Sequence, residues 1–224
     1  MPAKTATPIL TARFAAALSI AVTVHFDQVR KNTQPADAAV DGRIPYAAHL
    51  LSVAALILEA GGTEDEAIAG LFHDALEDQR KRFDEAAIEA QFGRGVRDIV
   101  VGCTDRALDE TFDAPAPEGA AALDEWRRRK QAYLDHLTSA PEPVLRVSLC
   151  DKIHNARSIL LDHRQHGDEV YERFTASRQD QLWYYRGLAD AFRSRGIVPH
   201  LVAELERTVA ELEQRGSEPD ASQA

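Results

Sequence analysis

The chain has 224 residues, 45% of them hydrophobic and 28% charged, enough for one sizeable domain that buries its own core without disulfides or a structural metal. Its formal net charge of -10 argues against a protein that coats nucleic acid, yet a cation and a few local basic residues can still reverse the field in a pocket that takes a small polyanion. Cys103 and Cys150 form no CxxC pair, which excludes a zinc ribbon or a disulfide framework and points to a reducing, cytoplasmic compartment, and the longest apolar runs are broken by Arg13, His25 and Glu59 well short of a membrane span or a secretion signal.

Taken in order, the chain reads as helices with short breaks and almost no strand-like alternation. Thr7-Pro8 looks like a helix start, and Leu10, Phe14, Leu18 and Val22 recur at helical spacing to about His25. A polar loop over 31–45 follows. The spacing predicts an apolar helix from about Ala47 to Ala60, stopped by Gly61-Gly62. Thr63 with Glu66 is a capping-box signature for a helix running to about Asp78.

Shorter helices are expected over Phe83–Phe92 and Gly95–Cys103, then a loop over 109–120. Leu123 to Leu137 reads as a helix carrying Arg127, Arg128, Arg129 and Lys130; three of those four cations are expected to be a solvated face. After the Pro141-Glu142-Pro143 break, Val144 to about His163 forms a long helix. Two amphipathic helices fill roughly 175–195 and 200–214. There, Trp183-Tyr184-Tyr185 fits core or a dimer surface better than a substrate platform. The expectation is an all-α bundle, one domain over 1–215 with a core over about 12–165, C-terminal helices over about 168–215, and a disordered tail over 216–224.

The chemistry centres on His73-Asp74-Ala75-Leu76-Glu77-Asp78. Helical spacing puts His73 above Glu77 and Asp74 above Asp78, so an imidazole and three carboxylates crowd together beside apolar neighbours. Such carboxylates repel one another unless a cation or proton lies among them. The alternative is a solvated acidic helix end. Asp151 lies within the apolar run Val144–Ile153, where an ionised carboxylate is costly unless it is paired or holds a metal. Lys152 or Arg157 could pair with it, and Asn155 falls one turn further on. His49 opens an apolar helix and is by itself as consistent with a core histidine as with a ligand. Together, His49, His73, Asp74 and Asp151 form an imidazole–carboxylate set that suits catalytic manganese, iron or zinc.

These residues resemble the H…HD…D pattern of the HD superfamily. The flanking segments, His25-Phe-Asp-Gln-Val-Arg-Lys31, Pro45-Tyr-Ala-Ala-His49, His73-Asp-Ala-Leu-Glu-Asp78, Phe92-Gly93, Cys103-Thr-Asp105 and Asp151-Lys-Ile-His-Asn155, resemble the hydrolase domain of Rel/SpoT-type enzymes. The similarity spans about residues 12–165 and is nearest to stand-alone small alarmone hydrolases. Two departures stand out: a long link between Lys31 and Pro45, and Lys152 where the long bifunctional enzymes usually carry arginine.

The resemblance implies a (p)ppGpp 3′-pyrophosphohydrolase of the hydrolase-only kind. His49, His73, Asp74 and Asp151 would hold Mn2+ or another divalent ion, with Glu77 and Asp78 as the general-base pair. Arg30 and Lys31 would contact the nucleotide, Lys130 the pyrophosphate, and Asn155 the ribose or phosphate. The partner expected is this small nucleotide, with no nucleic acid or membrane and room for a homo-oligomer. Two readings stay open beside it: hydrolysis of another phosphorylated nucleotide such as (p)ppApp, and alarmone binding without catalysis.

Overall fold

The computed structural model describes residues 10–31, 44–105 and 119–215. Helix α1 (Ala12–Val24) begins where the Thr11 hydroxyl accepts from the Arg13 amide at 3.2 Å. The expected start at Thr7-Pro8 lies outside the described residues. The expected apolar stripe is displaced: Leu10 and Val22 are exposed, and Ala17, Ala21 and Val24 are the buried positions. Small alanines let α1 lie close on α3 (Glu64–Phe72), so the helix docks through its small face rather than its bulky one.

Helix α2 (Ala47–Glu59) ends at Ala60 and Gly61, the latter at φ 75°, a left-handed conformation that glycine adopts without strain. The Thr63–Glu66 capping box then opens α3 as expected. Helices α2 and α3 touch closely because position 70 carries no side chain; a methyl at Gly70 would collide with Ile57 Cδ1.

Helix α3 does not run to Asp78. It stops at Phe72, His73 and Asp74 form a break, and Ala75–Asp78 makes a single further turn, α4. The reason is local: His73 Nδ1 lies 2.7 Å from the Gly70 carbonyl, a helix-end acceptor that would otherwise need a partner. Helices α5 (Glu85–Phe92) and α6 (Arg94–Cys103) follow, slightly shorter than expected at the α5 start because Asp84 is its cap.

The loop predicted over 109–120 lies outside the described residues as far as 118, and α7 already begins at Gly119, running to Leu137. The Pro141-Glu142-Pro143 segment is not a separate break: Pro141 caps α8 and Pro143 sits in its first turn, so α8 spans Glu142–His166. A 3-10 turn over Gly167–Arg173, which the periodicity missed, leads to α9 (Arg178–Arg195) and α10 (Pro199–Arg215). The predicted tail over 216–224 is outside the described residues.

The fold is all-α. Among the described residues the one extended pairing is an isolated bridge between Val29 and Pro45. It is bracketed by Arg30 N–H to Ile44 O (2.9 Å) and Tyr46 N–H to Gln28 O (3.0 Å), and it pins the 26–31 segment against the start of α2. Helix α8 is the central column, in contact with α2, α3, α6, α9, α10 and the 3-10 turn. Its apolar residues, from Val144 to Leu160, are part of a core that extends from α1 to α10. No helix among the described residues is long and apolar enough to cross a membrane.

Candidate metal centre and substrate cleft

Three elements converge on one point. Helix α2 contributes His49, the α3–α4 break contributes His73 and Asp74, and α8 contributes Asp151. His49 Nε2 lies 3.1 Å from His73 Nε2, 3.2 Å from Asp151 Oδ1 and 3.6 Å from Asp74 Oδ2. His73 Nε2 lies 3.0 Å from Asp74 Oδ2 and 3.4 Å from Asp151 Oδ1. His49, His73 and Asp151 are buried and offer donor atoms that all lie within 4.8 Å of one another.

Ligands held about 2.1 Å from one cation sit about 3.0–3.4 Å apart along the edges of an octahedron or tetrahedron, and the observed separations fall in or near that range. The tautomers agree as well. His73 Nδ1 is turned to a carbonyl, so it carries the proton and leaves the Nε2 lone pair facing the cluster. His49 Nδ1 lies 2.8 Å from His154 Nδ1. Burial, His49 and Arg30 together push His154 down to about 3, so it is neutral and can accept the His49 Nδ1 proton. The donor set therefore fits a divalent cation.

The same groups also set one another's charge. Burial alone would depress the His73 imidazole, but Asp74 and Asp151 outweigh it and hold its pKa well above the ordinary value. Burial likewise opposes the charge on Asp74, yet His73 and the His49 contact keep that carboxyl well below the usual range. Asp151 is held low against burial by Lys152 and His73; Lys152 Nζ reaches Asp151 Oδ2 at 2.6 Å. Of the two cations expected as partners for Asp151, Lys152 fills the role and Arg157 does not, being paired to Glu204 at 2.6 Å.

Beside the cluster stand Glu77 and Asp78, on the α4 turn. Burial, Asp105 and Asp74 push the Glu77 carboxyl up to about 8, while its Oε1 accepts the Asp105 backbone N–H at 2.8 Å. Burial and Asp74 also raise Asp78, against an opposing hydrogen bond from Gln28 Nε2 at 2.6 Å. Two carboxyls shifted toward neutral pH by desolvation and like charge are suited to proton transfer.

Both line a cleft of about 370 Å³ that also exposes Asp74, Asp151, Arg30, Lys31, Lys130, Lys152 and Asn155, a size within the range of small-ligand pockets. Arg30 donates to Asn155 Oδ1 at 2.8 Å and lies 5.8 Å from the Tyr46 ring; Asn155 in turn donates to Asp151 Oδ1 at 2.6 Å. Lys130 contacts Asp105 and lies 4.9 Å over the Tyr184 ring. Lys31 is exposed at the rim. All the candidate residues thus lie at the cluster or along this cleft.

Three readings of the sequence need correction or extension. Of the four cations on α7, two rather than one are drawn inward, because Arg129 joins Lys130 on Asp105 at 2.8 Å. Tyr184 and Tyr185 are buried core residues, as expected, and in addition both line the cleft, while Trp183 is exposed. The sequence reasoning also gave no role of their own to Gln28 and Tyr46, and it did not place Lys152 in the cleft wall. The Tyr46 hydroxyl donates to Asp74 Oδ2, which its place three residues before His49 could have suggested.

The HD domain profile matches residues 26–182. The chain is 32% identical over 145 residues to the Xenopus tropicalis guanosine-3′,5′-bis(diphosphate) 3′-pyrophosphohydrolase MESH1, covering 64% of this chain and 67% of that protein. A probable guanosine-3′,5′-bis(diphosphate) 3′-pyrophosphohydrolase of Synechocystis is 29% identical over 143 residues, of which the chain spans 16% of the length. Among solved structures, lmo0812 of Listeria monocytogenes EGD-e superposes with a TM-score of 0.58 at 26% identity, covering 72% of this chain and 96% of that one. A metazoan ortholog of SpoT that hydrolyses ppGpp superposes with a TM-score of 0.66 at 22% identity, covering 94% of this chain and 99% of that one.

Proposed function

The chain belongs to the HD domain family, and on that premise we propose that it is a phosphohydrolase that removes the 3′-pyrophosphate of (p)ppGpp, giving GDP or GTP and pyrophosphate. The observation that carries this reading is the make-up of one cleft: a paired acid, Glu77 and Asp78, stands beside Asp74 and Asp151 of the cluster and opposite Arg30, Lys130 and Lys152. A polyanion needs the cations, hydrolysis needs the acid pair, and a pure binder needs no such pair. The similarity to MESH1 supports the guanosine tetraphosphate substrate.

His49, His73, Asp74 and Asp151 would hold a divalent ion, which we take to be Mn2+ from the resemblance to Rel/SpoT-type hydrolases, the imidazole–carboxylate set being one that manganese shares with iron and zinc. When bound, that ion supplies Lewis-acid polarisation of the 3′-phosphate and lowers the pKa of water at the site. The chain's own residues do the rest. Asp78, with Glu77, takes a proton from the attacking water as the bond from phosphorus to the ribose 3′ oxygen breaks and that oxygen regains a proton. Arg30, whose planar guanidinium is suited to stacking on a purine, and Lys31 contact the nucleoside. Lys130 leaves Asp105 to meet the pyrophosphate, and Asn155 touches ribose or phosphate while holding Asp151 and Arg30 in place. Two free cysteines, both buried, accord with a reducing, cytoplasmic compartment.

The test compares kcat/KM for ppGpp and ppApp with the manganese-loaded protein. Preference for ppGpp by tenfold or more, roughly 1.4 kcal/mol of discrimination, is expected. Preference for ppApp would replace guanosine by adenosine in the reading, and tight binding of both without turnover would leave only a binding protein.

A further inference from the structure

His25 and Gln28 lie next to the acid pair, and the mechanism above gives them no task. His25 sits at the end of α1, 2% exposed, with Nδ1 2.6 Å from Gln28 Oε1. Gln79 Nε2 donates to the same oxygen at 3.1 Å. The other end of the amide, Gln28 Nε2, meets Asp78 Oδ2 at 2.6 Å. A carboxylate offers acceptors alone, so a flipped amide would set oxygen against oxygen. The orientation of Gln28 is therefore fixed, and with it the protonation of His25 at Nδ1. Through its face His25 stacks on Tyr46, centroids 5.3 Å apart at 18°, and the Tyr46 hydroxyl donates to Asp74. One buried imidazole thus braces both the side chain that grips Asp78 and the side chain that grips Asp74.

An aspartate carboxyl turns about a broad, roughly two-fold torsion, so a short helix turn such as Ala75–Asp78 does not by itself decide which oxygen faces the cleft. A donor fixed from behind does. We propose that Gln28, held by His25, is a positioning residue that clamps Asp78 Oδ2 and leaves Oδ1 aimed at the attacking water. This rests on the reading of Asp78 as general base. Gln28 and His25 enter the chain well before the acid pair; the Val29–Pro45 bridge pins their segment against the start of α2, and the Gln28 amide spans to Asp78.

Four variants test it: Gln28→Met, His25→Leu, His25→Asn and Asp78→Asn. Each is measured for kcat, KM, manganese binding, affinity for a non-hydrolysable ppGpp analogue, and thermal midpoint. Gln28→Met keeps the length of the side chain without its amide. It is expected to lower kcat by roughly tenfold to a hundredfold, the cost of misplacing one catalytic group. KM, analogue affinity and metal affinity should stay within about twofold, the mark of an interaction felt only in the transition state. His25→Leu should behave alike. His25→Asn, whose amide nitrogen falls where Nδ1 lies, should recover most of the rate. Full activity in Gln28→Met beside an inactive Asp78→Asn would overturn the positioning role and leave the base assignment standing. An active Asp78→Asn would overturn the base assignment itself. A folded His25→Asn as slow as His25→Leu, or losses shared equally by kcat and analogue binding, would reduce the pair to a structural role and contradict the proposal.

Discussion

Stripped of a cation by a chelator, the cluster would carry protons in its place. Asp74 and Asp151 hold the His73 imidazole charged well above its ordinary pKa, and Glu77 is pushed up to about 8 by burial and by Asp105 and Asp74. The folded protein therefore binds more protons at these two groups than the unfolded chain does. The stability that His73 contributes is complete below about pH 6.5 and is lost as pH rises toward its folded pKa. Glu77 acts in the same direction up to about 8, where the folded carboxyl finally ionises. His25 and His154, both depressed, affect stability below their unfolded values and leave this window alone.

The metal-free protein should thus lose thermal stability between pH 6.5 and 8, and manganese should bind more tightly over the same range as it displaces those protons. Melting curves of chelator-treated and manganese-loaded protein at both pH values check this. A metal-free midpoint that stays flat or rises would contradict the charge assignments. At this scale much was legible from the chain: the His73–Asp78 hexapeptide, Asp151 and His49 stand out because ionisable groups occur where apolar residues dominate. The choice of Lys152 over Arg157 as the partner of Asp151, and Tyr46 as the holder of Asp74, depend on side-chain directions that spacing does not give.

Two contacts between elements set the cluster's dimensions. Gly70 lets α3, which leads into His73, lie against α2, which carries His49, and an added methyl would meet the tip of the fully buried Ile57 side chain. Gly70→Ala should cost roughly 1–3 kcal/mol, the usual range for overpacking, and should weaken metal binding because it wedges the two histidines apart. Chemical denaturation and a manganese titration read the two effects, and an unchanged affinity in a destabilised protein would contradict the second.

Glu66, 2% exposed, closes the capping box of α3 and also pairs with Arg146 of α8. Glu66→Ala should cost roughly 1–3 kcal/mol, since it removes one of the two carboxylates that hold a mostly buried arginine, Glu142 being the other, and uncaps the helix. A loss below about 1 kcal/mol would place the pair among weak surface bridges. The ends of α2 and the start of α3 were readable because glycine and capping residues act locally. The end of α3 was not, because the His73 side chain ends it, and the docking face of α1 was not, because periodicity favours bulky residues where packing chose alanines.

Across the whole molecule, the cleft draws on residues from Gln28 to Tyr185, so one of its walls comes from α9, beyond the span where the sequence resemblance is strongest. The contacts of α8 with α9 and α10, and of α7 with α9, tie that wall to the cluster. We therefore propose that residues 12–215 unfold as one unit. Both tryptophans, Trp126 and Trp183, lie in the C-terminal half, so their fluorescence should melt together with helical circular dichroism, and separate transitions would contradict a single unit. That Tyr184 and Tyr185 face the cleft was not legible, since it depends on the long-range fit of α9 against α7 and α8.

The most direct test of the central claim is pyrophosphate release from ppGpp by the manganese-loaded protein, run beside Asp78→Asn and a chelator-treated sample. Cation-dependent turnover that falls by roughly a hundredfold or more in the variant is the predicted result. No pyrophosphate from ppGpp, in protein that still binds manganese, would contradict it.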